Sequence, residues 1–176
     1  ALAMRFPRKV DVSEVKTIAL GMTADVAGMC NEIAVYDYDY TKQLGKIVIE
    51  EGVTRYFIDV SEMDELGGLQ FVYQNKIDGN LQDMGDRKIT FDFDFIAPAV
   101  ELGAPEVAVD NANKTISWNA VENAVSYAIV KDGETIGRTT ELSYDCSDTG
   151  EFTTLGVMAE GTGRFLSGAV GYAEIT

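Results

Sequence analysis

Apolar and polar positions alternate with period two along most of this chain. In the first half, Val15-Lys16-Thr17-Ile18-Ala19-Leu20, Lys46-Ile47-Val48-Ile49 and Arg55-Tyr56-Phe57-Ile58-Asp59-Val60 each present an apolar and a polar side. Gly68 to Tyr73 and Ile89 to Ile96 continue the pattern. Successive side chains of a strand point to opposite faces, so these segments predict half-buried strands. Turn signals at Glu51-Gly52, Gly67-Gly68 and Asp78-Gly79-Asn80 separate them. Ser61 to Leu66 is long enough for one helical turn at most.

The second half alternates at Val107 and Val109, Ile116 and Trp118, Tyr127 and Ile129, Leu142 and Tyr144, and Leu155 and Val157. Asp132-Gly133 predicts a two-residue hairpin turn, because both residues tolerate positive φ. Two of the three prolines, Pro98 and Pro105, bracket a short linker with Gly103. Proline cannot donate to a sheet ladder, so the division falls near residue 100. The expected fold class is all-β: a β-jelly-roll sandwich over 1–98, then an immunoglobulin-like sandwich over 99–176.

Composition narrows the chemistry. The 14 basic and 29 acidic residues leave a formal charge of −15. Such a field repels phosphate backbones, so nucleic acid is not an expected partner. No apolar run reaches the roughly 18 residues of a membrane helix, so no membrane insertion is expected. Histidine is absent. Its absence removes the usual general base, the usual zinc ligand and any Ser-His or Cys-His pair. Cys30 and Cys146 fit no metal spacing and read as two separate thiols, one in each half. Ala1 to Met4 does not read as a signal peptide, and the chain opens directly in strand-like sequence, as a fragment or processed product would.

The segment 105–176 resembles a fibronectin type III domain. The resemblance is carried by Ile116-Ser117-Trp118-Asn119, by Val121 to Ile129 and by Phe152 to Gly161. It implies that Trp118 and Tyr127 fill one core between two sheets. Phe152 or Thr153 stands where that family places a corner tyrosine. Domains of this family mostly act as spacers in extracellular enzymes.

The first 97 residues resemble the latter part of a family 6 carbohydrate-binding module, a β-jelly roll. Asn31 to Asp39 with Leu44 to Ile49, Gly68 to Tyr73, and Phe91 to Ile96 carry this likeness. In that family two aromatic platforms and an asparagine hold the sugar. Here the second platform falls on Val53, the asparagine position falls on Asp92, and the first platform would lie upstream of Ala1. The resemblance also implies a structural calcium, for which Asp94 is the matching ligand; no other cofactor is implied. It further implies missing opening strands. The first sandwich is therefore expected to be completed by upstream sequence or another chain, or to be a reduced sandwich.

Two aromatic runs carry candidate chemistry. Tyr36-Asp37-Tyr38-Asp39-Tyr40, read as one strand, places three tyrosines on one face and two aspartates on the other. That face is either a strip on which sugar rings stack or an outer strand whose hydroxyls reach water. Phe91, Phe93 and Phe95 read as a core-facing stripe, with Asp92 and Asp94 in solvent. Neighbouring carboxylates on one strand do not face each other across a cleft, so they do not form a glycosidase acid–base pair. Asp78, Asp83 and Asp86 fit no EF-hand spacing and read as a solvated loop.

The expected function is a non-catalytic carbohydrate-binding and spacer portion of a secreted or cell-surface bacterial protein, extracellular or periplasmic. The sugar contacts would be Tyr36, Tyr38, Tyr40 and Asp92. The partners would be a polysaccharide or oligosaccharide and an upstream catalytic domain of a glycoside hydrolase or lyase. The alternatives are a purely architectural sandwich pair and an adhesion or assembly module that binds protein.

Overall fold

The computed structural model describes residues 1–151 and 153–173. Phe152, one of the two residues at the expected corner-tyrosine position, lies outside the described residues. Every regular element among the described residues is a β-strand, and the chain divides into units 1–99 and 100–176.

The first unit contains β1 (Leu2–Asp11), β2 (Thr17–Asp25), β3 (Glu32–Asp37), β4 (Gln43–Val48) and β5 (Arg55–Asp59). It continues with β6 (Glu65–Tyr73), the short hairpin β7 (Lys76–Ile77) and β8 (Asn80–Leu81), and β9 (Thr90–Pro98). Two antiparallel sheets, ordered β1-β6-β3-β4 and β5-β2-β9, form the sandwich. These are seven long strands, against the eight of a jelly roll. Leu20, Ile33, Val35, Leu66, Leu69 and Phe71 are wholly buried between the sheets.

Two sequence expectations need correction here, and the strand-like opening of the chain gains definite bounds as the ten-residue strand β1. Its alternation is confined to half-buried Met4 and Phe6, and its pairing with β6 shifts register between Arg5 and Val10, around Pro7. Proline suits such an irregular edge position, where no ladder N–H is needed. Gly67-Gly68 is no turn but lies inside β6. Gly68 has φ +143°, and a Cβ there would sit 2.1 Å from the Met4 carbonyl oxygen. The glycine permits β1 to approach, which a turn reading of the sequence misses.

The second correction concerns the phenylalanine stripe. Phe91 and Phe93 pack on Phe71, with ring centroids 6.3 and 5.2 Å away. Phe95 faces the other way. The β2–β9 register shifts so that Met22 pairs with Phe93 and Gly21 with Phe95, leaving Asp94 as an extra residue. This bulge turns Phe95 onto the outer face, over Gly21.

The second unit contains β10 (Val100–Glu101), β11 (Val107–Asp110), β12 (Thr115–Trp118), β13 (Ala124–Lys131) and β14 (Glu134–Thr139). It ends with β15 (Ser143–Asp145), β16 (Leu155–Gly161), β17 (Phe165–Leu166) and β18 (Val170–Tyr172). Its sheets are ordered β11-β12-β15 and β14-β13-β16-β18, and β10 pairs with β17 in parallel. Asp132 (φ 49°) and Gly133 (φ 88°) form the β13–β14 turn at the two positive-φ positions such a hairpin requires. Trp118 and Tyr127 meet in this core edge to face, centroids 5.5 Å apart. The Tyr127 hydroxyl accepts a hydrogen bond from the Val121 amide at 3.0 Å, which fixes the connection from β12 to β13.

Candidate functional site

Ile33 and Val35 of β3 point into the core, so Glu32, Ala34 and Tyr36 point outward. Strand pairing then arranges the outer face of this sheet in rows. Tyr36 lies between Gln70 and Gln43, and Ala34 lies between Val72 and Lys46. The small Ala34 and half-buried Val72 leave a groove of about 170 Å3, bordered by Tyr36, Tyr40, Gln43, Lys46, Gln74 and Lys76.

The five-residue run 36–40 is not one strand. β3 ends at Asp37, whose side chain points inward and is only 7% exposed. This aspartate organises the turn. Its carboxylate accepts hydrogen bonds from the amides of Thr41 and Lys42, both at 2.7 Å, and from the Thr41 hydroxyl. Burial alone would raise the Asp37 carboxyl, but the hydroxyl of Thr41 and these amides outweigh it and hold the carboxyl below its ordinary value. The turn places Tyr40 at φ 59°, a conformation that costs a non-glycine residue about 1–2 kcal/mol. Its ring folds back onto Tyr36, with centroids 4.3 Å apart and planes 28° from parallel.

Tyr40 remains 52% exposed, so the stacked pair offers a ring to solvent at the groove edge. The Tyr36 hydroxyl donates to Gln43 Oε1 at 3.1 Å. Burial and the neighbouring Tyr40 hydroxyl push the Tyr36 phenol up, keeping it neutral. Tyr38 stands apart from the pair, beneath the Arg5 guanidinium, which lies 5.5 Å from its ring centroid.

The far end of the groove is tied down by Asn75, which is 4% exposed. Its Oδ1 accepts the Cys30 amide at 3.2 Å, and its carbonyl oxygen accepts the Gln82 amide at 2.8 Å. One residue therefore joins the loop before β3 to the base of the β7–β8 hairpin. Nothing in the local sequence marked Asn75, Gln43, Lys46 or Lys76 as site residues. Their convergence depends on strand register.

Asp92 does not join the tyrosines. It is exposed on β9, on the side turned away from Phe91 and Phe93, and so lies on the outer face of the other sheet. Asp94 is exposed on the same strand, and among the described residues no three acidic or cysteine side chains gather to hold a metal ion. Val53, at the family's second platform position, lies in the loop before β5. Cys30 and Cys146 are free thiols in different units, and burial raises the Cys146 thiol. No helix among the described residues is long and apolar enough to cross a membrane.

The sequence matches no family model and no curated protein. Among solved structures, the CD2-binding domain of CD58 (lymphocyte function-associated antigen 3) is similar, with a TM-score of 0.32 and 10% identity. That alignment covers 92% of this chain and 94% of the other.

Proposed function

We propose that the chain is a non-catalytic carbohydrate-binding and spacer portion of a secreted or cell-surface protein, with the sugar held in the groove on the outer face of β6-β3-β4. One observation carries this reading: the Tyr36–Tyr40 stack, held open to solvent beside a floor of Ala34 and Val72. An aromatic ring offers an apolar face to the C–H face of a pyranose, and neighbouring amides can meet its hydroxyls. Gln43 and Gln74 stand at the groove edge for that purpose. The fixed turn at Asp37 supports a preorganised platform, since a ring already positioned loses little conformational freedom on binding.

Two features support reading the second unit as a fibronectin type III-like spacer: its division into three and four strands and its Trp118–Tyr127 core contact. Tyr36 and Tyr40 are the proposed sugar contacts. Tyr38 is the weaker candidate because Arg5 covers its ring, and Asp92 lies on the opposite side of the sandwich.

A glycan-array screen of the chain and its Tyr40→Ala variant tests the reading. Binding that falls about tenfold or more in the variant, matching one lost stacking contact of about 1.4 kcal/mol, is the expected result. Equal binding by both proteins would move the site elsewhere, and no binding to any glycan would leave an architectural pair.

A further inference from the structure

The groove holds more positive charge than the rest of this acidic protein leads one to expect. Two of the 14 basic residues, Lys46 of β4 and Lys76 of β7, border the groove, and Arg5 lies on the same side of the first sheet, in a chain with 29 acidic residues. Of these, Lys46 is spoken for: its ammonium lies 2.7 Å from Glu32 Oε1. Arg5 lies over Tyr38. The Lys76 side chain has no ion-pair or hydrogen-bond partner among the described residues, yet it borders the same groove as the tyrosines. Of the acidic residues, Glu32 borders the groove and is already paired, and Asp78 stands in the turn of the Lys76 hairpin, with no ion pair to Lys76.

An ammonium placed at a groove edge with no internal counter-charge favours an anionic group on whatever occupies the groove. The hairpin that carries Lys76 is anchored by buried Asn75, so its backbone position is built rather than incidental. We infer that the groove takes an acidic glycan, with a uronate ring stacked on Tyr40 and its carboxylate on the Lys76 ammonium. This inference rests on the carbohydrate reading above and names the sugar class.

The chemistry explains why a cation is retained there. A chain of net charge −15 repels a polyuronate at long range, so a local positive groove must offset that repulsion for binding to occur. Gln74 beside Lys76 supplies an amide that can meet a ring hydroxyl in the same row. Glu32 on Lys46 keeps the second cation from acting as an open site and limits the groove to one carboxylate.

The test uses affinity electrophoresis and calorimetry on the whole chain, with EDTA present to exclude bridging by calcium. The probes are galacturonan, alginate and glucuronan, each beside its carboxyl-reduced neutral counterpart. At least one native polyuronate is expected to bind about threefold to fivefold more tightly than its reduced form, the range of one partly exposed ion pair. Lys76→Gln should remove that preference and leave the thermal transition unchanged, and added salt should weaken the native polymer only. Equal affinity for native and reduced polymers, or a preference that survives Lys76→Gln, would overturn the acidic-glycan inference while leaving carbohydrate binding intact. Failure of every glycan, neutral or acidic, to bind would overturn both.

Discussion

In the first unit the opening strand, β1, lies beside β6, and the closing strand, β9, lies beside β2. In the second unit the opening strand of the sandwich, β11, lies beside β12, and the closing strand, β18, lies beside β16. The five strands between are wired alike. β2 pairs with β5, and β3 with β4 and β6, just as β12 pairs with β15, and β13 with β14 and β16. The two sandwiches thus share an inner framework and exchange their terminal strands.

The corresponding outer faces differ in the same instructive way. Ala128 lies between Arg138 and Met158, as Ala34 lies between Lys46 and Val72. In the second unit this face satisfies itself: Glu160 accepts from Arg138 Nε at 3.0 Å and from Ser126 Oγ at 2.9 Å. In the first unit the face keeps an exposed tyrosine ring and is bordered by Lys76, whose side chain has no ion-pair or hydrogen-bond partner among the described residues. One framework therefore carries a closed polar network in one unit and an open groove in the other. That contrast is why the proposed site belongs to the first unit and the spacer role to the second.

The largest expected effects lie where terminal strands dock. A Cβ at Gly171 would sit 1.8 Å from the Pro105 carbonyl oxygen, and one at Gly68 would sit 2.1 Å from that of Met4. Gly171→Ala should destabilise the second unit and Gly68→Ala the first, each by about 3 kcal/mol or more, since backbone must move. Hydrogen exchange resolved by residue checks this: loss of protection confined to the substituted unit is expected. Equal loss in both units would break the comparison of two separate frameworks.

A smaller effect separates the two anchoring polar contacts. Tyr127→Phe should cost the second unit about 1–2 kcal/mol, because the Val121 amide loses its acceptor. Chemical denaturation measures it, and a change near zero would mean that water replaces the hydroxyl.

In the first unit the Asp37 carboxyl is held below its ordinary value of about 3.9. The folded state therefore binds the proton less readily than the unfolded state. The stabilisation is complete above about pH 4 and is lost as pH falls through the lower folded value. Asp37→Asn should flatten the acid limb of a stability-against-pH curve for the first unit. An unchanged acid limb would show that the turn does not depend on this carboxylate. The smallest effect is expected at Glu160→Gln, about 1 kcal/mol in the second unit, since the Arg138 half of the pair is largely exposed and the amide keeps an oxygen to accept from Ser126 and Arg138.

The alternation of Ile116 with Trp118 and Tyr127 with Ile129, and the Asp132-Gly133 turn, were legible because propensity and burial agree there. Strand β1 was legible only as a strand-like opening without bounds, since its cationic residues and Pro7 dilute the pattern on an edge. Phe95 misled because the bulge at Asp94 reverses the facing of the positions after it, while the Phe-Asp alternation runs on through Phe95. The tyrosine run misled for a related reason. Asp37 caps the strand end from within, and an aspartate that accepts three hydrogen bonds reads in sequence like a solvated one. Two tyrosines of the candidate site were therefore visible in the sequence. The amides and lysines that border the groove come from two separate segments, β4 and residues 74–76, and needed the strand register to meet the tyrosines.

The most direct test of the proposed groove is chemical-shift mapping of the 15N-labelled chain during titration with a glycan that binds it. The account places the largest shifts at Ala34, Tyr36, Tyr40 and Lys46, with Thr23, Phe57 and Asp92 on the other sheet unmoved. Shifts centred on Asp92 and Phe57, or confined to the second unit, would contradict it.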